Sequence, residues 1–396
     1  MTLPEQEVLN ALVARVFRIE DVTLGEPKQG FILRYRGRLL SEDSAAAYDQ
    51  LAEALRPYGI TPLFRMEAGV QNVFLAARNT RLRPSRPLTN LVFFILTLAS
   101  VLFTGAVFEY SGSPNVDFFT LAKDSLLHIG RGWPFAASLL AILGAHEFGH
   151  YLVGRYHKAA VSLPYFLPLP FPFSFLGTLG AFIQMKEPPK NRRVLLDVGI
   201  AGPLAGLVVA IPVLLLGLSL SKMAPISGPG SLEGNSILYL LAKYFVFGKM
   251  LPEPTSYQGL PPLLYWIRYF FTGRPLPLGG LDVQLHPVAW AGWAGLLVTA
   301  LNLIPAGTLD GGHILYVLLG KRMRAIFPYI LAALVAMGFV WSGWWLWAAL
   351  LFMLGRVYAE PLDQITPLDP RRKMLAIFAL IIFVLVFTPV PLIQFG

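Results

Sequence analysis

The chain has no cysteine among its 396 residues. That excludes a disulfide framework, a cysteine zinc cluster and a thiol nucleophile. Any metal site must be built from His, Asp or Glu. Charge is scarce too: Asp, Glu, Lys and Arg make up 14% of the chain, against about 25% in soluble proteins. Hydrophobic residues reach 55% and mean hydropathy is +0.58. This composition excludes intrinsic disorder, argues against an ordinary cytosolic enzyme and points to the membrane.

The net charge of +9 is unevenly spread. Residues 1–80 hold ten of the 23 acidic side chains and are close to neutral. The basic excess lies beside apolar segments, which reads as membrane topology and not as nucleic-acid binding. Residues 1–80 pattern as a small soluble α+β domain: helices at 4–17 and 42–56, strands at 19–25, 30–37, 61–67 and 70–76. A basic linker at 81–87 leads to a membrane-embedded region, 88–396. The acidic start has no apolar run, so no signal peptide is expected.

Apolar stretches predict spanning helices near 88–108, 133–154, 194–220, 286–304, 326–341, 343–358 and 374–393, with the fifth and sixth short enough to form one hairpin. Segments 235–248 and 259–272 are apolar but interrupted by charge, and read as interfacial or re-entrant. The expected fold is a multi-pass α-helical membrane protein of about six to seven transmembrane helices. With residues 1–80 in the cytoplasm, Lys and Arg concentrate in the inner loops, as the positive-inside rule requires.

The chemistry lies in His146-Glu147-Phe148-Gly149-His150, inside an apolar span. Residues i and i+4 share a helix face, so His146 and His150 can reach one metal. Glu147, beside the first ligand, can act as general base toward water there. An ionisable cluster at membrane depth is costly and is normally functional.

A catalytic zinc needs a third protein ligand. Asp310 lies after the 286–304 span in Asn302-Leu-Ile-Pro305-Ala-Gly-Thr-Leu309-Asp310-Gly311-Gly312-His313. Pro305 interrupts the helix there, and the two glycines let the backbone bend. The same Asp310 can cap the next helix, a reading compatible with ligation, and His313 is a rival ligand or a supporting partner. Residues 177–186, Gly177-Thr178-Leu179-Gly180 onward, follow a proline-rich stretch and read as a strand or hairpin dipping into the membrane. A free strand edge there can hold a peptide extended by β-augmentation. Asp197, opening the 194–220 span, reads as a helix cap.

Taken together, these segments resemble the site-2 proteases, zinc metalloproteases that cleave peptide bonds within the membrane. Residues 146–150 match the family's HExxH. Asn302, Pro305, Leu309, Asp310 and Gly311 match its NxxPxxxLDG. The likeness covers about 130–325 and is nearest in pattern to the plastid and cyanobacterial branch, which lacks an inserted PDZ domain. It implies one zinc per chain held by His146, His150 and Asp310, with Glu147 as the base. It also implies Asn302 as a substrate-holding or oxyanion-stabilising group, and a re-entrant β element beside the site. Transmembrane proteins are the implied substrates. A membrane divalent-metal transporter using the same residues is the rival reading. The chain lacks an acid-poor transit segment, so a bacterial inner membrane is the expected location, with the N-terminal domain cytoplasmic.

Overall fold

The computed structural model describes residues 4–25, 30–77, 86–113, 116–226, 230–277, 279–354 and 359–395. Most of the expected basic linker, residues 81–85, lies outside these, as do residues 355–358.

The N-terminal unit follows the order helix, strand, strand, helix, strand, strand: α1 Gln6–Ala14, β1 Phe17–Leu24, β2 Leu33–Leu39, α2 Ser44–Leu55, β3 Ile60–Glu67 and β4 Val70–Ala77. Its four strands form an antiparallel sheet in the order β1-β2-β4-β3. Alternate positions such as Leu33, Tyr35, Phe64, Val73 and Leu75 are buried with Leu9, Val13 and Leu51 of the helices. This is the period-two pattern expected where one sheet face packs against helices.

The remaining chain is mostly helical. Helix α3 is Pro87–Phe108, α4 Phe118–Leu127 and α5 Trp133–Tyr156, followed by the short strands β5 Tyr165–Pro168 and β6 Thr178–Phe182. Helix α6 is Arg192–Leu220; β7 Lys222–Pro225, β8 Gly230–Glu233, α7 Ile237–Phe247, α8 Pro262–Thr272 and β9 Leu281–Gln284 come next. The last elements are α9 Pro287–Asn302, α10 Asp310–Leu319, α11 Met323–Met337, α12 Gly343–Leu354, α13 Pro370–Val386 and β10 Leu392–Phe395.

Helices α5, α6 and α9 make the central packing, with Leu139, Ile142, Leu207, Ala210, Leu214, Ala294 and Leu297 in one buried cluster. Small residues let these helices approach closely, as membrane helices do in the absence of a strong hydrophobic drive. Pro203 and Pro212 sit inside the 29-residue α6, tolerated because neighbouring helices shield the interrupted backbone.

Several expectations differ from the structure. Among the described residues, α3 and α6 are long and apolar enough to cross a membrane, and a bent pair formed by 118–127 and 129–156, at 83°, makes up to three. Single helices of full spanning length thus account for two to three of the six to seven crossings expected. The last apolar stretch was expected to be helical over 374–393, but α13 ends at Val386 and β10 pairs with β8. Pro389 and Pro391 remove the backbone donors that a longer helix needs. Helix α4, absent from the sequence reading, is started by Asp117, whose carboxylate accepts from the N–H groups of Phe119 and Thr120.

Asp197 does not cap α6; Asn191 does, accepting from Val194 N–H at 3.0 Å. The Asp197 carboxylate instead takes two bonds from Arg372, at 2.8 and 2.6 Å, and lies 2.9 Å from His157 Nε2. It thereby joins α6 to α13 and to the residue that ends α5.

The N-terminal unit is tied to the helices by residues 361–366. Phe64 on β3 exchanges two backbone hydrogen bonds with this segment, from its N–H to Leu362 O and from Gln364 N–H to its own O, each 3.0 Å. On the other side, Leu362 and Asp363 donate to Pro189 O and Lys190 O, at 2.9 and 2.8 Å. The segment thus fills the edge of the sheet, which otherwise exposes unpaired backbone.

Candidate metal centre

Helix α5 buries Phe135, Leu139, Ile142 and Leu143, and the same side carries His146, Glu147 and His150 inward. His150 Nδ1 lies 2.7 Å from Val198 O on α6. A carbonyl can only accept, so Nδ1 holds the proton and Nε2 keeps its lone pair free, the arrangement usual for metal-binding histidines. His146 Nε2 and His150 Nε2 lie 3.2 Å apart. Asp310 Oδ2 lies 3.3 Å from each.

Those three separations test whether the residues fit a metal. Zinc in a tetrahedral site has bonds of about 2.0–2.1 Å to N and O ligands, so its ligand atoms are spaced about 3.3–3.4 Å apart. The observed triangle has that size. Two imidazole nitrogens and a carboxylate oxygen converge here in a buried site, with the Asn302 amide beside His146 Nε2 at 3.3 Å, a crowding of acceptors that a cation relieves. The set fits one metal ion.

Asp310 reaches the site because α9 stops at Asn302, the chain turns through residues 303–309, and α10 begins at Asp310 itself. Leu309 occupies the cap position and no side-chain cap bond forms. The helix-cap reading of Asp310 is therefore not realised. Close packing decides the rest: Gly202 on α6 lies so near His150 that an added Cβ would overlap its ring.

A cavity of about 210 Å³ opens on this cluster. Glu147 and Asn302 line it with the three converging residues, and so does His313. His313 is not among the clustered ligand atoms. Asn302 Nδ2 lies 3.3 Å from His146 Nε2. Glu147 is buried, its Oε2 has no hydrogen-bond partner, and Ile183 lines the same cavity beside it.

Strands β5 and β6 pair antiparallel and form a two-stranded sheet. Of the stretch read from sequence as substrate-holding, Leu179 is exposed, whereas Gly177 and Thr178 pack inward. None of residues 177–180 lines the cavity; the residues just beyond them, Ala181, Phe182, Ile183 and Met185, do. The other histidines have separate roles: His128 lies against Asp124, His157 pairs with Asp197, and His286 caps α9 through Val288 N–H at 3.2 Å. The sequence reading missed Ile183 in the cavity wall and the Val198 carbonyl behind His150, neither of which has a local sequence signal.

The family model for peptidase family M50 matches residues 134–342. The probable zinc metalloprotease EGY1, chloroplastic, of Arabidopsis thaliana is 30% identical over 314 residues, covering 76% of this chain and 52% of the relative. The probable zinc metalloprotease EGY2, chloroplastic, of the same plant is 32% identical over 274 residues, covering 68% and 44%. A third Arabidopsis protein, the probable zinc metallopeptidase EGY3, chloroplastic, is 27% identical over 275 residues, covering 66% and 43%. The chain spans about half the length of the curated relatives it matches. No solved structure matches.

Proposed function

The chain belongs to peptidase family M50, and we propose that it is an intramembrane zinc metalloendopeptidase that hydrolyses peptide bonds in or near transmembrane segments of other proteins. The observation that carries the proposal is the triangle of His146, His150 and Asp310 at tetrahedral spacing, with Glu147 in the same cavity.

In this reading His146 Nε2, His150 Nε2 and Asp310 Oδ2 hold the zinc. Zinc, when bound, supplies Lewis acidity toward a water and toward a peptide carbonyl. Glu147 takes the water's proton and passes it to the leaving amine. The Asn302 amide donates to the oxygen that gains negative charge as the carbonyl is attacked. Burial of Glu147 keeps this proton transfer away from bulk water. A peptide bond in a helix is shielded by its own turn, and the edge of β6 around Gly177, Thr178, Leu179 and Gly180 holds it extended. The cavity-lining residues 181–183 continue that edge toward Glu147.

The proposed arrangement has residues 1–80 as a cytoplasmic domain, 81–87 as a linker and 88–396 in the membrane, with six to seven spans and β5–β6 as a re-entrant element. Helices α9, α11, α12 and α13, shorter than a full span, supply the additional crossings. Support comes from the Lys and Arg of residues 186–193, 321–324 and 371–373, which share one side under this topology. The proposed location is a bacterial inner membrane.

The test offers a panel of single-span substrates in liposomes to wild type, Glu147→Gln and wild type treated with a zinc chelator. Products are mapped by mass spectrometry, and metal content is measured beside them. The expected result is cleavage within the apolar segment by untreated wild type only, with zinc at one per chain in both proteins. Equal cleavage by Glu147→Gln would overturn the mechanism.

A further inference from the structure

Helix α3 contributes nothing to the metal cluster, yet it carries a buried polar stripe: Asn90, Thr97, Ser100 and Thr104. Their spacing of seven, three and four residues places them on one helix face. Three of them meet the backbone of the β5–β6 hairpin. Asn90 Nδ2 donates to Leu163 O at 3.0 Å and Pro164 O at 2.9 Å, just before β5. Ser100 Oγ donates to Gly177 O at 2.6 Å, just before β6. Thr104 Oγ1 accepts from Phe171 N–H in the connecting loop at 3.4 Å. Between them, Phe94 packs edge-on against Phe166 of β5, with ring centroids 5.2 Å apart.

The contact is close as well as polar. Gly177 has φ +74°, and a Cβ there would lie 2.7 Å from Thr104 Oγ1 and 2.8 Å from Val101 Cα. The hairpin backbone therefore rests directly on α3. At its far end the chain following β6 lines the cavity through Ile183, together with Glu147. Thr97, fully buried on the same stripe, has a hydroxyl without a hydrogen-bond partner.

We propose that Asn90 and Ser100 of α3 are positioning residues for the reaction: their hydrogen bonds to the backbone at 163, 164 and 177 set where the β6 edge and Ile183 run past Glu147. They touch neither the metal cluster nor the cavity. They act through the hairpin, because a buried carbonyl that loses its donor must find another by moving. The functional consequence rests on the protease reading; the mechanical one does not.

The experiment exploits the absence of cysteine. Leu179→Cys on β6 and Leu152→Cys on α5, both at exposed positions, receive nitroxide labels, and their separation is measured by pulsed electron paramagnetic resonance in liposomes. Into this background go Asn90→Leu, Ser100→Ala and, as a control on the same helix face, Thr97→Val. The first two should broaden or shift the distance distribution, and Thr97→Val should leave it unchanged. Zinc content should stay at the parent level throughout. In chains without labels, Asn90→Leu and Ser100→Ala should lower kcat/KM for a spanning substrate several-fold and change the distribution of cut sites, while Thr97→Val cuts as wild type does. Unchanged distances in Asn90→Leu and Ser100→Ala, or an equal change in Thr97→Val, would overturn the positioning role. Changed distances in a chain whose wild type cleaves nothing would uphold the mechanical contact and refute the protease reading.

Discussion

His150 Nδ1 and the carbonyl oxygen of Val198 lie 2.7 Å apart, so α6 fixes the tautomer and ring orientation of a histidine carried by α5. The helix contact and the ligand geometry are consequently one feature. Four residues along α6 from Val198, Gly202 presses on the same imidazole.

Gly202→Ala should therefore remove metal without altering any ligand. Its Cβ would overlap the His150 ring, whereas a Cβ at Gly206 would lie 3.3 Å from His146 Cβ and Nδ1, a tight but tolerable approach. The expected outcome is a loss of zinc affinity at the upper end of the about 10–100-fold that changes around a ligand shell cost, with Gly206→Ala milder. Titration against a competing chelator measures both; equal affinity in Gly202→Ala and wild type would contradict the packing argument.

Glu147→Gln keeps the size of the side chain and removes its basicity. Cleavage should fall by at least about 10²–10⁴-fold, the usual contribution of a general base, while zinc stoichiometry stays at one. Asp310→Asn should behave differently. It weakens the triangle itself, so metal content and activity should fall together.

Asp363 is fully buried between the N-terminal sheet and the loop before α6. Its carboxylate accepts from Ile365 N–H at 2.8 Å, from Thr366 N–H at 3.1 Å and from the Thr366 hydroxyl, which also meets Ser44 of α2 at 2.9 Å. Asp363→Ala orphans those donors at about 1–3 kcal/mol each. The N-terminal unit should then loosen first. Limited proteolysis within the N-terminal unit should speed up before the helical part unfolds; cleavage at wild-type rate would show that the unit is held elsewhere.

At the other end of the helices, Lys243 is fully buried with two carboxylates, Glu233 at 3.7 Å and Asp282 at 3.5 Å. Tyr239 donates its hydroxyl to Glu233 at 2.7 Å. Burial first, and the neighbouring Asp282 second, push the Glu233 carboxyl up to about 7, against the opposing pull of Lys243 and Tyr239. A carboxyl raised in the folded state binds its proton more tightly there than in the unfolded chain. Stability therefore falls as pH rises from about 4.5 to about 7, and the penalty is complete above that. Glu233→Gln should remove this slope and raise the unfolding temperature at pH 8, with no gain below pH 4. Parallel melting curves for the two proteins across that range would refute the assignment.

What could be read from sequence was local. The i, i+4 spacing of His146 and His150 places both on one helix face whatever the rest of the chain does, because helix geometry alone sets it. Alternation read at residues 19–25, 30–37, 61–67 and 70–76 located the four strands of the N-terminal sheet, which run 17–24, 33–39, 60–67 and 70–77, since successive side chains must point to opposite faces. Apolar composition marked α3, α5 and α6, and Pro305 marked the break before Asp310. The absence of cysteine confined any metal site to His, Asp and Glu. The tertiary structure decided everything that depends on residues far apart in the chain. It selected Asp310, not His313, to share a point with His146 and His150, because the turn after α9 and the close α5–α6 packing set that distance. It gave Asp197 to Arg372 and not to a cap, filled the edge of β3 with residues 361–364, and laid the hairpin across the hydroxyls of α3. Each of these pairs groups from segments whose own patterns are satisfied without the other, so only the folded chain could bring them together.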